Sequence, residues 1–220
     1  MRLFAALALA LLLVFVAGVV WLVARGPTEA EAAQIAAVLQ DPAPAGEPTA
    51  FAHCASCHLH DGSGRPDGSI PRLNGQRQAV LQNKLYRLRS GMMRLPAMDP
   101  FARSLAPREI AELSEYLSGL PDSAPHPSEL SEDARAAAAS GYAAHCASCH
   151  GAHGEGHDGL FASRLCGQYA SYMARRLREV AEGTRGNADA VMKGVLDGVL
   201  DAELAPIVLW LAEGKGCEAP

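Results

Sequence analysis

The chain has 220 residues, of which 49% are hydrophobic but only 5% aromatic, and a formal charge of −5 at pH 7. An acidic balance with no basic tail excludes a nucleic-acid binder, so no nucleic acid is expected among its partners. Less an apolar N-terminus, the length suits two small domains of about 80–90 residues, each poor in the aromatic mass that fills a core.

Leu3 to Ala24 runs 22 residues without a charge or a proline. As a helix it spans about 33 Å, enough to cross a bilayer. Arg2 precedes it, and Arg25, Glu29 and Glu31 follow, an order that favours the N-terminus inside and the remainder outside. Residues 1–26 are read as a transmembrane anchor, with a cleaved signal peptide as the competing reading. A signal peptide's apolar core runs only about 7–15 residues, and the nearest Ala-x-Ala, Ala30 to Ala32, falls beyond the apolar run. Under both readings the remainder is exported. Residues 27–45 form a linker, in which Thr28 and Glu31 make a capping box for a short helix to about Gln40. Pro42, Pro44 and Pro48 then keep the chain extended.

Cys54-Ala55-Ser56-Cys57-His58 follows, and returns as Cys146-Ala147-Ser148-Cys149-His150. Cys-x-x-Cys-His is the attachment signal for a c-type haem. Its two thiols add to the two vinyl groups of one porphyrin, and the next imidazole binds the iron. A Cys₄ zinc site wants its arms about 15–20 residues apart, and a thioredoxin-like pair sits beside a strand–helix–strand pattern; neither fits. Two covalently bound haem c groups are therefore expected, one on Cys54, Cys57 and His58, the other on Cys146, Cys149 and His150. They would supply the missing apolar mass.

These motifs open a longer repeat. Cys54, Leu73, Gly75, Gln76, Leu85 and Gly91 recur 92 residues later as Cys146, Leu165, Gly167, Gln168, Leu177 and Gly183. At an offset of 94, Met98, Ile110 and Tyr116 recur as Met192, Leu204 and Trp210. Residues 46–121 and 131–220 are read as two copies of one domain, joined by a proline-rich linker at 122–130. Each reads helix, haem motif, loop, helix, Met loop, helix, with no strand pattern, which makes the chain all-α. The first copy has a helix from about Gln78 to Ser90 and another around Ile110, Leu113 and Leu117, between Pro107 and Gly119. The second has matching segments at Tyr169–Glu182 and Ala202–Glu213, where Pro206 is expected to displace the start.

Each iron needs a second axial ligand, and Met98 and Met192 occupy the same place in the repeat. A thioether is soft and neutral; it stabilises Fe(II), raises the potential and closes the iron to substrates. Met92 and Met93 rival Met98, but their counterparts are Thr184 and Arg185. Met173 reads as core packing. His53, His60, His126, His145, His153 and His157 read as solvated side chains.

The order Cys-x-x-Cys-His, Pro-Arg-Leu-x-Gly-Gln, a Leu-bearing helix ending in Gly, then Met-x-x-x-Ala-x-x-Leu before a last helix, resembles a class I bacterial cytochrome c. Residues 46–121 and 131–213 each carry the resemblance, and the tandem is similar to the dihaem cytochrome c-four family. The resemblance implies two α-helical haem domains related by a pseudo-two-fold axis; the apolar N-terminus is expected to tether them to the bacterial inner membrane, with the haem domains in the periplasm. It implies an electron carrier between a quinol-oxidising cytochrome bc complex and a terminal oxidase. It also implies that the Pro71 carbonyl accepts a hydrogen bond from His58. Ser163 replaces the matching proline, so His150 is expected to meet a less restrained carbonyl. Arg72 and Arg164 match one another as propionate partners or as plain surface charge. A membrane anchor also suits a haem c electron-transfer subunit of a membrane dehydrogenase or oxidase complex. A dihaem peroxidase-type enzyme would need an open iron or unusual ligation.

Cys166 and Cys217 belong to the second half only. An oxidising compartment permits a disulfide between them; two thiols, or Cys166 on a haem, are the alternatives. Residues 41–121 carry nine basic and eight acidic residues, and 129–220 carry eight and 13. The halves are thus expected to meet different partners.

Overall fold

The computed structural model describes residues 46–121, 130–184, 190–199 and 201–214. The expected anchor and the two linkers lie outside these, apart from Leu130. Among the described residues no helix is long and apolar enough to cross a membrane.

The first half is built from helices alone. A 3₁₀ turn at Thr49–Phe51 leads into α1 (Ala52–His58), followed by α2 (Gln78–Arg89), α3 (Asp99–Ser104) and α4 (Pro107–Gly119). Pro48 immediately precedes the turn, and a proline there removes a backbone donor and prevents the helix from reaching further back. At α4 the start signals act as read: Pro107 opens the helix, and the Glu109 carboxylate accepts the Ala106 N–H at 2.7 Å. Ile110, Leu113 and Leu117 fall on its buried face. Phe51, Ala55, Leu81, Leu113 and Leu117 form the core between α1, α2 and α4. The Phe51 ring lies 5.4 Å from that of Tyr116.

In the second half, α5 (Glu132–His145) is a full-length helix, capped by Ser131, whose hydroxyl accepts the Ala134 N–H. It is followed by α6 (Ala147–His150), α7 (Ala170–Ala181), α8 (Ala190–Leu196) and α9 (Asp201–Ala212). α5 packs along α9 through Ala138, Tyr142, Ile207, Val208 and Leu211. Gly141 permits the approach, since a Cβ there would stand 3.1 Å from Ile207. The same helices are joined by Arg135, which donates to both carboxylate oxygens of buried Glu213 at 2.8 and 2.9 Å. Breaking such a two-pronged pair strands a buried charge. Pro206 does not displace the start of α9: it sits inside the helix, which loses one backbone bond there and continues to Ala212.

Loops recur as closely as helices. Gly64 donates to the His58 carbonyl at 3.0 Å and Gly156 to that of His150 at 2.7 Å. Leu73 reaches Gly62, and Leu165 reaches Gly154, both at 2.7 Å. Gly64 and Gly156 have φ of +73° and +82°, and a Cβ at either would stand 2.5 Å from the Pro71 carbonyl or 2.6 Å from the Arg164 nitrogen. These glycines let each motif loop lie against the segment that faces its histidine. Gly64→Ala and Gly156→Ala are each expected to cost about 2 kcal/mol or more from backbone strain alone, read as a lower denaturant midpoint at unchanged slope.

Candidate haem centres

Each motif histidine ends a short helix and is turned inward. α1 terminates at Leu59, which takes φ +63°, and α6 at Gly151, with φ +84°. His58 is buried and His150 half-buried. The Nδ1 of His58 lies 3.0 Å from the Pro71 carbonyl, and that of His150 lies 2.8 Å from the Ser163 carbonyl. A carbonyl only accepts, so Nδ1 carries the proton in both rings and Nε2 keeps its lone pair. Burial lowers both imidazole pKa values and the carbonyl bonds oppose it; Lys84 lowers that of His150 further. Burial thus disfavours the charged form of both rings. Cys54, Cys57, Cys146 and Cys149 form no disulfide. Burial, then Cys57 and Glu47, raises the Cys54 pKa, and burial raises that of Cys146.

The carbonyls that face the histidines are held from the opposite half. Arg72, next after Pro71, donates its backbone N–H to Gln168 Oε1 at 3.0 Å, while Gln168 Nε2 donates to the Arg72 carbonyl at 3.0 Å. Arg164, next after Ser163, donates its N–H to Gln76 Oε1 at 2.8 Å, and Gln76 Nε2 donates to the Arg164 carbonyl at 3.0 Å. Both glutamines are buried. Lys84 of α2 adds a bond found on one side only, its ammonium 2.9 Å from Ser163 Oγ. The Ser163 carbonyl is therefore well restrained: contacts from the first half replace the proline ring. Arg72 is buried, its guanidinium 5.5 Å from the centre of the Tyr169 ring. Arg72 and Arg164 thus belong to the junction between the halves, not to plain surface. Around them Arg77 pairs with Asp158 at 2.6 Å, and the Tyr169 hydroxyl donates to the Ser63 carbonyl at 2.9 Å.

Met98 and Met192 occupy different local settings. Met98 caps α3 and is half-buried beside Leu88, Met93 and Ala102. Buried Asp99 holds the preceding turn, accepting from the Leu95 N–H at 2.9 Å and from Arg94 Nε at 3.1 Å. Met192 lies inside α8 and is half-buried; the Met segments are thus helical or helix-capping instead of open loops. Met92 is exposed and Met93 buried. Met173 is core. His53, His153 and His157 are exposed, His145 is half-buried and His126 lies outside the described residues. His60 is half-buried against Glu47 at 2.7 Å. Cys166 is disulfide-bonded; Cys217 lies outside the described residues. In the first half, Asn74 holds the matching place and donates to the Pro121 carbonyl at 3.1 Å.

Residues 41–117 match the family model for cytochrome c oxidase, cbb3-type, subunit III, and residues 135–214 match that for cytochrome c. The chain is built of two cytochrome c domains. It carries two covalently bound haem c groups. A thiosulfate dehydrogenase electron acceptor from Thiomonas intermedia is 27% identical over 176 residues, 76% of this chain and 81% of that one. Reduced cytochrome c4 from Pseudomonas stutzeri superposes with a TM-score of 0.65 at 23% identity, over 78% of this chain and 98% of that one. Thiosulfate dehydrogenase (TsdBA) from Marichromatium purpuratum gives 0.58 at 32% identity, over 72% of this cytochrome but only 36% of that chain.

The side chains around the junction fit such a group. Arg176 Nε and Nη2 are buried with no hydrogen-bond partner among the described residues. Lys84 has its pKa pushed down to about 8 by burial and by the cations Arg176 and Arg87. Glu179 pairs with Arg176 Nη1, and the propionates of a haem are carboxylates that would suit the remaining buried donors. Neither Lys84 nor Arg176 is distinguished by the haem motifs, although the repeat signals them: they stand 92 residues apart and both are cationic. Replacing Cys146 and Cys149 together by alanine is expected to leave one covalent haem per chain instead of two, measured on the denatured protein by mass and by haem absorbance.

Proposed function

We propose that this dihaem cytochrome is a one-electron carrier, with His58 and Met98 on the axial positions of the first haem and His150 and Met192 on those of the second. The observation that carries this reading is the pair of Nδ1-to-carbonyl bonds, which leave the Nε2 lone pair of each motif histidine available to iron, next in sequence to two cysteines outside any disulfide. The cofactor supplies reversible Fe(III)/Fe(II) chemistry; the protein supplies orientation, burial and charge. Cys54 and Cys57, like Cys146 and Cys149, tether the porphyrin edge. Asp99 steadies the turn that presents Met98. Among the described residues no group of three or more His, Cys, Asp or Glu side chains is disposed to hold a further metal ion.

The domains are taken as 46–121 and 131–220, exported to the periplasm and tethered to the inner membrane by residues 1–26. The uncharged run Leu3 to Ala24 supports the tether. A terminal oxidase is the acceptor the family resemblance implies, and a cytochrome bc complex the donor it implies. A second donor is favoured by the relatives: one is an electron acceptor of thiosulfate dehydrogenase and another contains that enzyme. On that reading the chain takes electrons released by oxidation of a reduced sulfur compound.

Met98→Ala and Met192→Ala are each expected to lower the midpoint potential of their own haem by on the order of 0.1 V or more, a fraction of the span that axial ligands control. Each should also change that haem's spectrum; unaltered spectra and potentials would refute the ligand assignment. For the partners, the oxidised protein is mixed rapidly with a thiosulfate dehydrogenase plus thiosulfate, or with a reduced cytochrome bc complex. Reduction within milliseconds by the first and not the second identifies a sulfur-oxidising donor, and the reverse identifies the quinol route.

A further inference from the structure

Each proximal histidine donates to a peptide group whose other end is bonded to a glutamine of the opposite half. From His58 Nδ1 the line runs to the Pro71 carbonyl at 3.0 Å, through one amide, and from the Arg72 N–H to Gln168 Oε1 at 3.0 Å. From His150 Nδ1 it runs to the Ser163 carbonyl at 2.8 Å, through one amide, and from the Arg164 N–H to Gln76 Oε1 at 2.8 Å. An amide whose N–H is bonded becomes more polarised, and its carbonyl accepts more strongly. A stronger acceptor at Nδ1 makes the imidazole a better electron donor through Nε2.

We propose that Gln76 and Gln168 are positioning residues that set the potential of the haem in the opposite half, so that the junction between halves tunes both irons crosswise. The inference rests on His58 and His150 being the proximal ligands. By supporting a more basic imidazole, each glutamine favours Fe(III) and lowers the potential of the haem across the junction. Each amide also donates back to the following carbonyl, at 3.0 Å on both sides, and both glutamines are buried. The acceptor is thereby fixed in direction and shielded from exchange with water. Lys84 acts on one side only, where its ammonium on Ser163 Oγ favours Fe(II) in the second half and opposes that half's acidic surface.

The test is a redox titration of the intact protein in which signals of the two haems are resolved by paramagnetic NMR. Gln76→Leu is expected to raise the potential of the second haem by about threefold in its Fe(II)/Fe(III) ratio, or about 28 mV for one electron, with a smaller change on the first. Gln168→Leu is expected to do the converse. Gln76→Asn and Gln168→Asn, which keep the amide but shorten its reach, should give the same crossed pattern where a leucine disrupts folding. Equal shifts on both haems would overturn the proposal, as would a larger shift on the haem of the mutated half than on the other, or none at all. Loss of His-ligated low-spin signals in the unsubstituted protein would instead refute the ligand assignment beneath it.

Discussion

The structure depends on a hydrogen bond at each imidazole, from Nδ1 to a backbone carbonyl thirteen residues further along the chain. The bond selects the tautomer and aims Nε2, while burial disfavours the charged ring. It exists because the motif loop folds back on itself, and that return is possible because Gly64 and Gly156 leave no Cβ in the way. A binding site for a large apolar cofactor is thus laid down by backbone groups, with the side chains that define the motif added on top.

The two halves solve the same problem with different materials. In the first, Pro48 precedes a leading helix of one turn and seven residues, and Pro71 fixes the acceptor carbonyl by its ring. In the second, a full helix α5 packs on α9, closed by the Arg135–Glu213 pair, and Ser163 takes the acceptor position. What the serine lacks in ring constraint is restored by Lys84 and Gln76 from the neighbouring half. Asn74 and Cys166 form a similar pair: one holds the end of its half with a hydrogen bond, while the other is committed to a disulfide. Duplication has therefore preserved the backbone geometry and exchanged the side chains that secure it.

The junction between halves makes the chain more than two domains in series. Gln76, Gln168, Arg72 and Arg164 bond reciprocally, and every one of these bonds involves a residue adjacent to, or a few residues beyond, an acceptor for a proximal histidine. Separating the halves would expose those amides to water as well as the cations Lys84 and Arg176. The electrostatic setting of each iron thus depends on the neighbouring domain, and a partner that shifts the domains would alter both.

Much was legible in the sequence. Cys-x-x-Cys-His is a local chemical requirement, so Cys54, Cys57, His58 and their copies could be read without a fold. The helices at 78–89, 107–119 and 170–181 follow from apolar spacing with Pro and Gly at their ends, which are local preferences too. Other features needed the folded chain. The partner of Ser163 is 79 residues away, and the glutamines bond peptides 88 and 96 residues distant; no periodicity reports such a pairing. Pro206 within α9 likewise follows from tertiary packing overriding local preference, because a helix seated on a core keeps its conformation at the loss of one backbone bond. The sequence by itself determined the cofactor and the repeat, since both are written in neighbouring residues. The tertiary structure decided which peptide faces each histidine and what holds that peptide, since those contacts exist only where two distant segments meet.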